Sequence, residues 1–455
     1  MTSGSDILLQ YLTLPQYDLA ITNTTCNPDG NGPRIACMLI NNQYPGPTIR
    51  ASKSATPQVR LTQAHIPIEW GDTVQVTVHN NLKDNGTSIH WHGIRQYNSC
   101  TSDGVNGVTE CPIAPGKSRV YTWKASQFGT SWYHSHHSAQ YGDGIVGTIV
   151  IEGPSTANYD EDLGPLTLTD WFYTPAWTLN YRAVHTGGPP PADNILVNGS
   201  HVNANGGGNY TKITVTKGKT YMLRLINTAV DHFFHVSLDG HPFTVVAADF
   251  VPTEPKTGVT DLKIAIGQRY NIIFTANQNV GNYWLRVRPG CAVGGTAAIY
   301  SKNVPAVGAI VSYSGASSSN PTSQAYANDG TCNDETIQTH WPSSVPQDAF
   351  SMNVKTMDVT FNAGPVSTQN GNVVQWLIDG NTFDARWEAP IVEYLLNGTT
   401  IDQTHQNIHT MSGPADNFYF WIIQNSNSSN PPLHHPIHLV SCQALPAGAL
   451  QRIKR

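Results

Sequence analysis

Apolar and polar residues alternate in short runs along most of this chain. Thr73–Val78 reads Thr-Val-Gln-Val-Thr-Val, a period of two, and Lys212–Val215, Met222–Ile226 and Asn271–Phe274 read similarly. Such runs set successive side chains on opposite faces, as a strand with one buried side requires. Gly, Asn and Pro separate the runs, as turn formers do. Spacings of three and four, which would mark amphipathic helices, are nearly absent. The pattern predicts an all-β chain of sandwiches or barrels.

A weak internal repeat divides the pattern. Trp70–Asn80 is a turn, an alternating strand and a closing Asn; Lys217–Asn227 repeats the design, and Ala415–Asn425 repeats it again. A His-bearing segment follows each copy: Ile89-His90-Trp91-His92, Phe234-His235-Val236-Ser237 and Ile437-His438-Leu439-Val440. Three copies agree with 455 residues, about three domains' worth of chain. The expected units are residues 18–153, 159–314 and 352–439, with Ser314–Asp334 as a linker and 440–455 as an unrelated tail. The third unit has room for only the first part of a sandwich.

Composition narrows the classes. Charged residues are 12%, half the usual share, and the net charge is −6. No basic surplus exists to hold a phosphate backbone, so nucleic acid is not an expected partner. No apolar run approaches the length that crosses a bilayer, so no membrane partner is expected either. Seven Cys leave at least one unpaired. Sequons at Asn23, Asn85, Asn198, Asn209, Asn397 and Asn427 point to secretion. Ile7–Leu14 is too short, and lacks the basic flank, to be a signal peptide. Either the chain is cytosolic or its N-terminus is incomplete; the sequons favour the second.

The candidate chemistry lies in histidines. Eighteen His supply about one His-x-His pair by chance, so pairs alone say little. His90/His92 and His134/His136, however, fall in strand-like settings, where residues two apart share a face and aim two imidazoles at one point. Imidazole ligates copper, zinc, iron and nickel, and geometry selects among them.

Ser88-Ile89-His90-Trp91-His92-Gly93, Trp132-Tyr133-His134-Ser135-His136 with Ala139–Gly144, and Pro431–Leu439 resemble three copper motifs of the multicopper oxidases. Asn41–Ile49 and Asp103–Pro112 extend the likeness. Within the family the chain is similar to fungal laccases of ascomycete type, over about residues 17–439. The resemblance implies three cupredoxin-like β-sandwich domains in tandem, the third incomplete here, and copper as cofactor, four ions per chain in the family. By motif, His90 and His438 would bind type 2 copper, His92, His134 and His136 the type 3 pair, and His435 type 1 copper. Asp103 matches an acid that feeds protons to the cluster. Asp231 falls where an acid takes the proton of a phenol; near Gly, Asp103 also reads as a simple turn residue. His434, His137 and His65 match no ligand position and read as structural or solvated.

The implied activity is one-electron oxidation of phenols or aromatic amines coupled to reduction of dioxygen to water, by a secreted monomer. Branches that oxidise ascorbate or ferrous iron are the neighbouring alternatives. The resemblance also implies a Cys291–Cys332 disulfide and an unpaired Cys111; Cys26, Cys37, Cys100 and Cys442 have no assignable partners.

Two segments depart from the family. The repeat calls for His at 440, where the chain has Val440, and Cys442 has no flanking His, so the His-Cys-His run is missing from 440–455. Ser52–Ile68 is an insertion between segments the family joins almost directly. Both can be back-translated with intron donor sequences, and both are expected to be unspliced introns read as protein. The chain as written is therefore expected to bind fewer than four copper ions and to be inactive, leaving a non-catalytic copper-binding remnant as the competing reading.

Overall fold

The computed structural model describes residues 16–50, 70–186, 191–290, 304–327, 335–342, 354–368, 371–401, 408 and 420–425. Thr73–Asn80 shows how the pattern becomes structure: Val74, Val76 and Val78 are fully buried, and the Thr and Gln between them are half-buried. This strand lies in a four-stranded sheet, in the order Arg34–Ile40, Gln16–Cys26, Thr73–Asn80, Ser118–Lys124. A second sheet faces it, in the order Gly46–Arg50, Val146–Ile151, Gly129–His134, His90–Trp91. Leu19, Val76, Trp91, Trp123, Tyr133 and Ile149 belong to the core between them.

The second sandwich pairs a six-stranded sheet with a five-stranded one. The first contains Glu161–Trp171, Thr220–Asn227 and Arg269–Thr275; the second contains Phe233–Leu238, Asn282–Gly290 and Gly308–Tyr313. A three-stranded sheet follows, in the order Gly371–Ile378, Val354–Thr368, Phe420–Asn425.

The repeat has a structural counterpart. Thr73–Asn80 runs parallel beside Gln16–Cys26, Thr220–Asn227 beside Glu161–Trp171, and Phe420–Asn425 beside Val354–Thr368. The closing Asn explains itself in the first two copies. Asn80 Nδ2 donates to the carbonyls of Asn85 (2.9 Å) and Ile113 (2.7 Å), and Oδ1 accepts the Leu82 amide (2.9 Å). Asn227 does the same with His232 (2.9 Å), Ile264 (3.0 Å) and the Ala229 amide (2.9 Å). A side-chain amide, acceptor and double donor at once, suits this junction of three segments.

Among the described residues two α-helices, α1 (Ala176–Thr186) and α2 (Ile391–Asn397), interrupt the β pattern. The sequence pattern does not predict α1, and its cap explains why. The Ala176 amide donates to Asp143 Oδ1 (2.7 Å), a carboxylate of the first sandwich that is also ion-paired, in a buried setting, with Arg34. A cap delivered from another part of the chain leaves no local signal.

The cysteines bring a correction. Against the expectation of no assignable partner, Cys26 and Cys37 form a disulfide, with Cα atoms 5.8 Å apart. They sit on neighbouring antiparallel strands, with Cys37 opposite Thr24 and Cys26 opposite Arg34 across a register shift. Cys100 is also disulfide-bonded, which again corrects the expectation. Cys111 is free and exposed, as expected. Cys291, Cys332, Cys442, Ser52–Ile68, Val440–Arg455 and the histidines His65, His434, His435 and His438 lie outside the described residues. No described helix is long and apolar enough to cross a membrane.

Candidate metal centre

The strands His90–Trp91 and Gly129–His134 pair antiparallel, with His90 opposite His134 and Trp91 opposite Tyr133. The period of two sends Trp91 and Tyr133 into the first core. It turns His90, Trp132 and His134 to the other face, and the His92 amide extends the pairing to the Trp132 carbonyl (3.0 Å). The Trp132 ring stacks on both His134 (4.0 Å) and His92 (4.9 Å), fixing both imidazoles.

The ligand atoms of His90, His92 and His134 all lie within 4.8 Å of one another, and all three residues are buried. Local bonds orient two of the rings. His90 Nδ1 donates to the Asp103 carbonyl (2.8 Å) and His134 Nδ1 to the Ser135 carbonyl (2.9 Å), the tautomers in which Nε2 is the ligand atom. His92 Nδ1 lies 3.3 Å from His134 Nε2. Two nitrogens held about 2.0–2.1 Å from one tetrahedral ion would be about 3.3 Å apart, so this pair already has the spacing of shared ligands.

His136 stands beside this trio. It is half-buried, with its ring 5.4 Å from that of His90 and 5.9 Å from that of His134. It lines the same cavity, about 220 Å³, as His92 and His134, and Val230 and Ile266 of the second sandwich close the far wall. His137 behaves as a structural residue: buried, bonded through Nδ1 to Asn106 Oδ1 (2.9 Å) and packed on Trp387.

Asp103 is buried behind His90, with Oδ1 3.4 Å from Nδ1. Burial pulls the His90 imidazolium down, but the Asp103 carboxylate, its hydrogen bonds and the more distant Glu110 outweigh it, and the net pKa lies above the ordinary 6.5. Glu110 itself is pushed up to about 7, chiefly by burial, against the pull of Arg119 and a hydrogen bond from Tyr121 (2.8 Å).

The structure does not bring Asp231 to the histidines. It lines an adjoining cavity of about 430 Å³, with Phe172, Ala176 and Leu179 on one side and Tyr141 and Ser138 on the other. Burial first, and the charge of Asp170 second, raise the Asp231 carboxyl to about 6, with His232 opposing. Sequence reasoning missed Glu110, Asp143 and Asp170. For Asp170 the one available signal was a charged residue closing the alternating run Leu166-Thr167-Leu168-Thr169.

Three buried imidazoles with ligand atoms this close and no carboxylate among them suit a transition metal, not magnesium or calcium. The donor set therefore fits copper. Family profiles described as multicopper oxidase match residues 60–156 and 162–316. The chain is 48% identical over 383 residues to Laccase-3 of Botryotinia fuckeliana, covering 82% of each chain. It is 42% identical over 430 residues to a laccase of Neurospora crassa, covering 93% of this chain but 64% of the relative. The structure superposes on the crystal structure of a laccase from Botrytis aclada with a TM-score of 0.74 and 37% identity, over 86% of this chain and 68% of the other. Fet3p, titled a multicopper oxidase that functions in iron import, gives a TM-score of 0.67 at 25% identity, over 86% and 67%. Copper is the cofactor of the family these matches define. With a buried histidine cluster on a cupredoxin-like frame and a laccase nearly half identical over four-fifths of both chains, this chain belongs to the multicopper oxidase family, among its laccase-like oxidoreductases.

Proposed function

We propose that the chain serves laccase chemistry: single electrons are taken from phenols or aromatic amines, and dioxygen is reduced to water. The convergence of His90, His92 and His134 is the observation that supports this most directly. In this reading His90 holds type 2 copper and His92, His134 and His136 hold the type 3 pair. His435, for type 1 copper, and His438, for type 2, complete the set. Copper, when bound, supplies a one-electron acceptor that passes electrons on to dioxygen.

The chain's own residues do the rest. Asp103 keeps His90 in the tautomer that offers Nε2 and holds a carboxylate where protons for water are needed. The 430 Å³ cavity has room for an aromatic ring, and Asp231 accepts the hydroxyl proton that a phenol sheds as it loses an electron. The five sequon asparagines that are described, Asn23, Asn85, Asn198, Asn209 and Asn397, are all exposed, in keeping with a secreted glycoprotein. We take the working unit to be a monomer.

For the 455-residue polypeptide itself, Cys442 has no neighbouring His to build a type 1 thiolate site. We expect the His90, His92 and His134 cluster to hold one or two copper ions. Binding should weaken below about pH 6, because imidazolium cannot ligate. The test is copper content by elemental analysis of the wild type and of the double variant His92→Ala, His134→Ala. The variant should lose the bound copper; equal content in both would exclude this cluster as a metal site.

A further inference from the structure

Asp170 closes the strand Glu161–Trp171 and is buried. Its carboxylate accepts four hydrogen bonds from one three-residue segment. The Val230 amide donates to Oδ1 (2.8 Å), and the amides of Asp231 (2.8 Å) and His232 (3.2 Å) donate to Oδ2. The fourth comes from His232 Nδ1, 3.0 Å from Oδ2, with both side chains fully buried. Successive amides turned toward one acceptor form an anion-binding nest, here filled by the protein's own carboxylate. A carboxylate has about four acceptor positions, so this segment fully engages it.

The consequence lies on the other side of the segment. Val230 walls both cavities, and Asp231 faces the larger one. Val230–His232 belongs to no strand; it joins Thr220–Asn227 to Phe233–Leu238. Its path is therefore set by what it bonds to. The geometry points to Asp170 as a positioning residue for Asp231, gathering the Val230–His232 amides so that the Asp231 carboxyl is held against the cavity as proton acceptor for an aromatic hydroxyl. This rests on the reading of Asp231 given above, and it adds the group that makes that reading mechanically possible.

Electrostatics act in the same direction. The groups facing Asp231 are Asp170, His232 and, from the first sandwich, Tyr141. Burial and the Asp170 charge favour the protonated form, and His232 opposes them. A positioning role through charge and hydrogen bonds therefore moves the pH at which Asp231 titrates, which a merely space-filling role would not.

The experiment follows the carboxyl-carbon resonance of Asp231 against pH in the full chain, labelled at aspartate, assigned with Asp231→Asn, and kept reducing so that any copper is diamagnetic. In Asp170→Asn the Asp231 midpoint should fall by about one unit, a tenfold change in proton affinity. Amide exchange at Val230, Asp231 and His232 should quicken at least roughly tenfold, because their shared acceptor is lost. An unchanged midpoint with unchanged exchange overturns the proposal. If Asp170→Asn does not fold, His232→Gln serves: the carboxylate and its three amide bonds remain, and the midpoint should rise; an equal or lower value overturns the proposal. Binding of para-cresol, compared between wild type and Asp231→Asn, tests the reading of Asp231 separately, since the midpoint is measured without any phenol.

Discussion

Asn80 in the first sandwich and Asn227 in the second end equivalent strands and make the same three hydrogen bonds, yet the His-bearing strands that follow do different work. In the first, His90 Nδ1 is tied to a backbone carbonyl, and its ring faces two other imidazoles. In the second, His235 Nδ1 is tied to Asp261 Oδ2 (2.8 Å), and Asp261 is also paired with Arg288 (2.7 Å). Ser237, fully buried, stands where His92 stands in the first copy. Gly290 packs so closely that a Cβ there would come within 2.2 Å of the His235 ring. One copy leaves ring nitrogens facing a cavity, and the other closes the same place with ions. The frame is thus indifferent to chemistry; the partner of Nδ1 and the residue two positions on decide it.

If the frame is shared, its Asn should matter equally in both copies. Asn227→Ala strands two buried carbonyls and an amide, and Asn80→Ala one buried carbonyl, one part-buried carbonyl and an amide, so each should destabilise its sandwich by about 3 kcal/mol. Urea unfolding followed by probes in each sandwich checks this; tolerance in one copy would break the comparison.

A comparable effect should appear in pH dependence, with opposite sign in the two copies. Glu110 titrates near 7 when folded against an ordinary 4.5, so the folded chain holds an extra proton between those values. Its stabilising effect is present below about pH 4.5 and is lost as pH rises to 7, a change on the order of 3 kcal/mol. Glu110→Gln should flatten that slope in pH-dependent denaturation. Burial works against the Asp261 carboxylate, but His235, Arg288 and Lys263 outweigh it and hold its pKa below 3.8. Its contribution is present above that value and is lost as acid takes the pH through the folded pKa. Asp261→Asn should therefore remove a loss at the acid end. A common slope in both sandwiches would contradict the contrast.

The smallest effect sharpens the comparison. Ser237→His restores a His-x-His pair in the second copy but leaves His235 tied to Asp261. Elemental analysis should show no added copper, and the crowded ring should destabilise by about 1–3 kcal/mol. An extra bound ion would mean that the pair alone is sufficient.

Local pattern made the frame legible. Thr73–Asn80 declares its buried face by period, and His90/His92 and His134/His136 declare a shared one. The deciding contacts are remote. Asp143 caps α1 from 33 residues away, and Asp170 holds Val230–His232 from 60 to 62 residues away. The Cys26–Cys37 bond joins two paired strands whose register composition does not encode. Asp231 was found through family likeness, but no periodicity in its neighbourhood names the carboxylate behind it.

The Asp143 contact with α1 also bears on how the chain is made. The ribosome delivers Asp143 before Ala176, so the first sandwich can present its carboxylate while the helix is still emerging. Cut away from the first sandwich, the second unit would carry a helix with an unmet first amide, and the aromatic cavity would lose the anchor of one wall. The support runs both ways, since Phe250 of the second unit completes the first core, so the two sandwiches are parts of one mould and not separate beads.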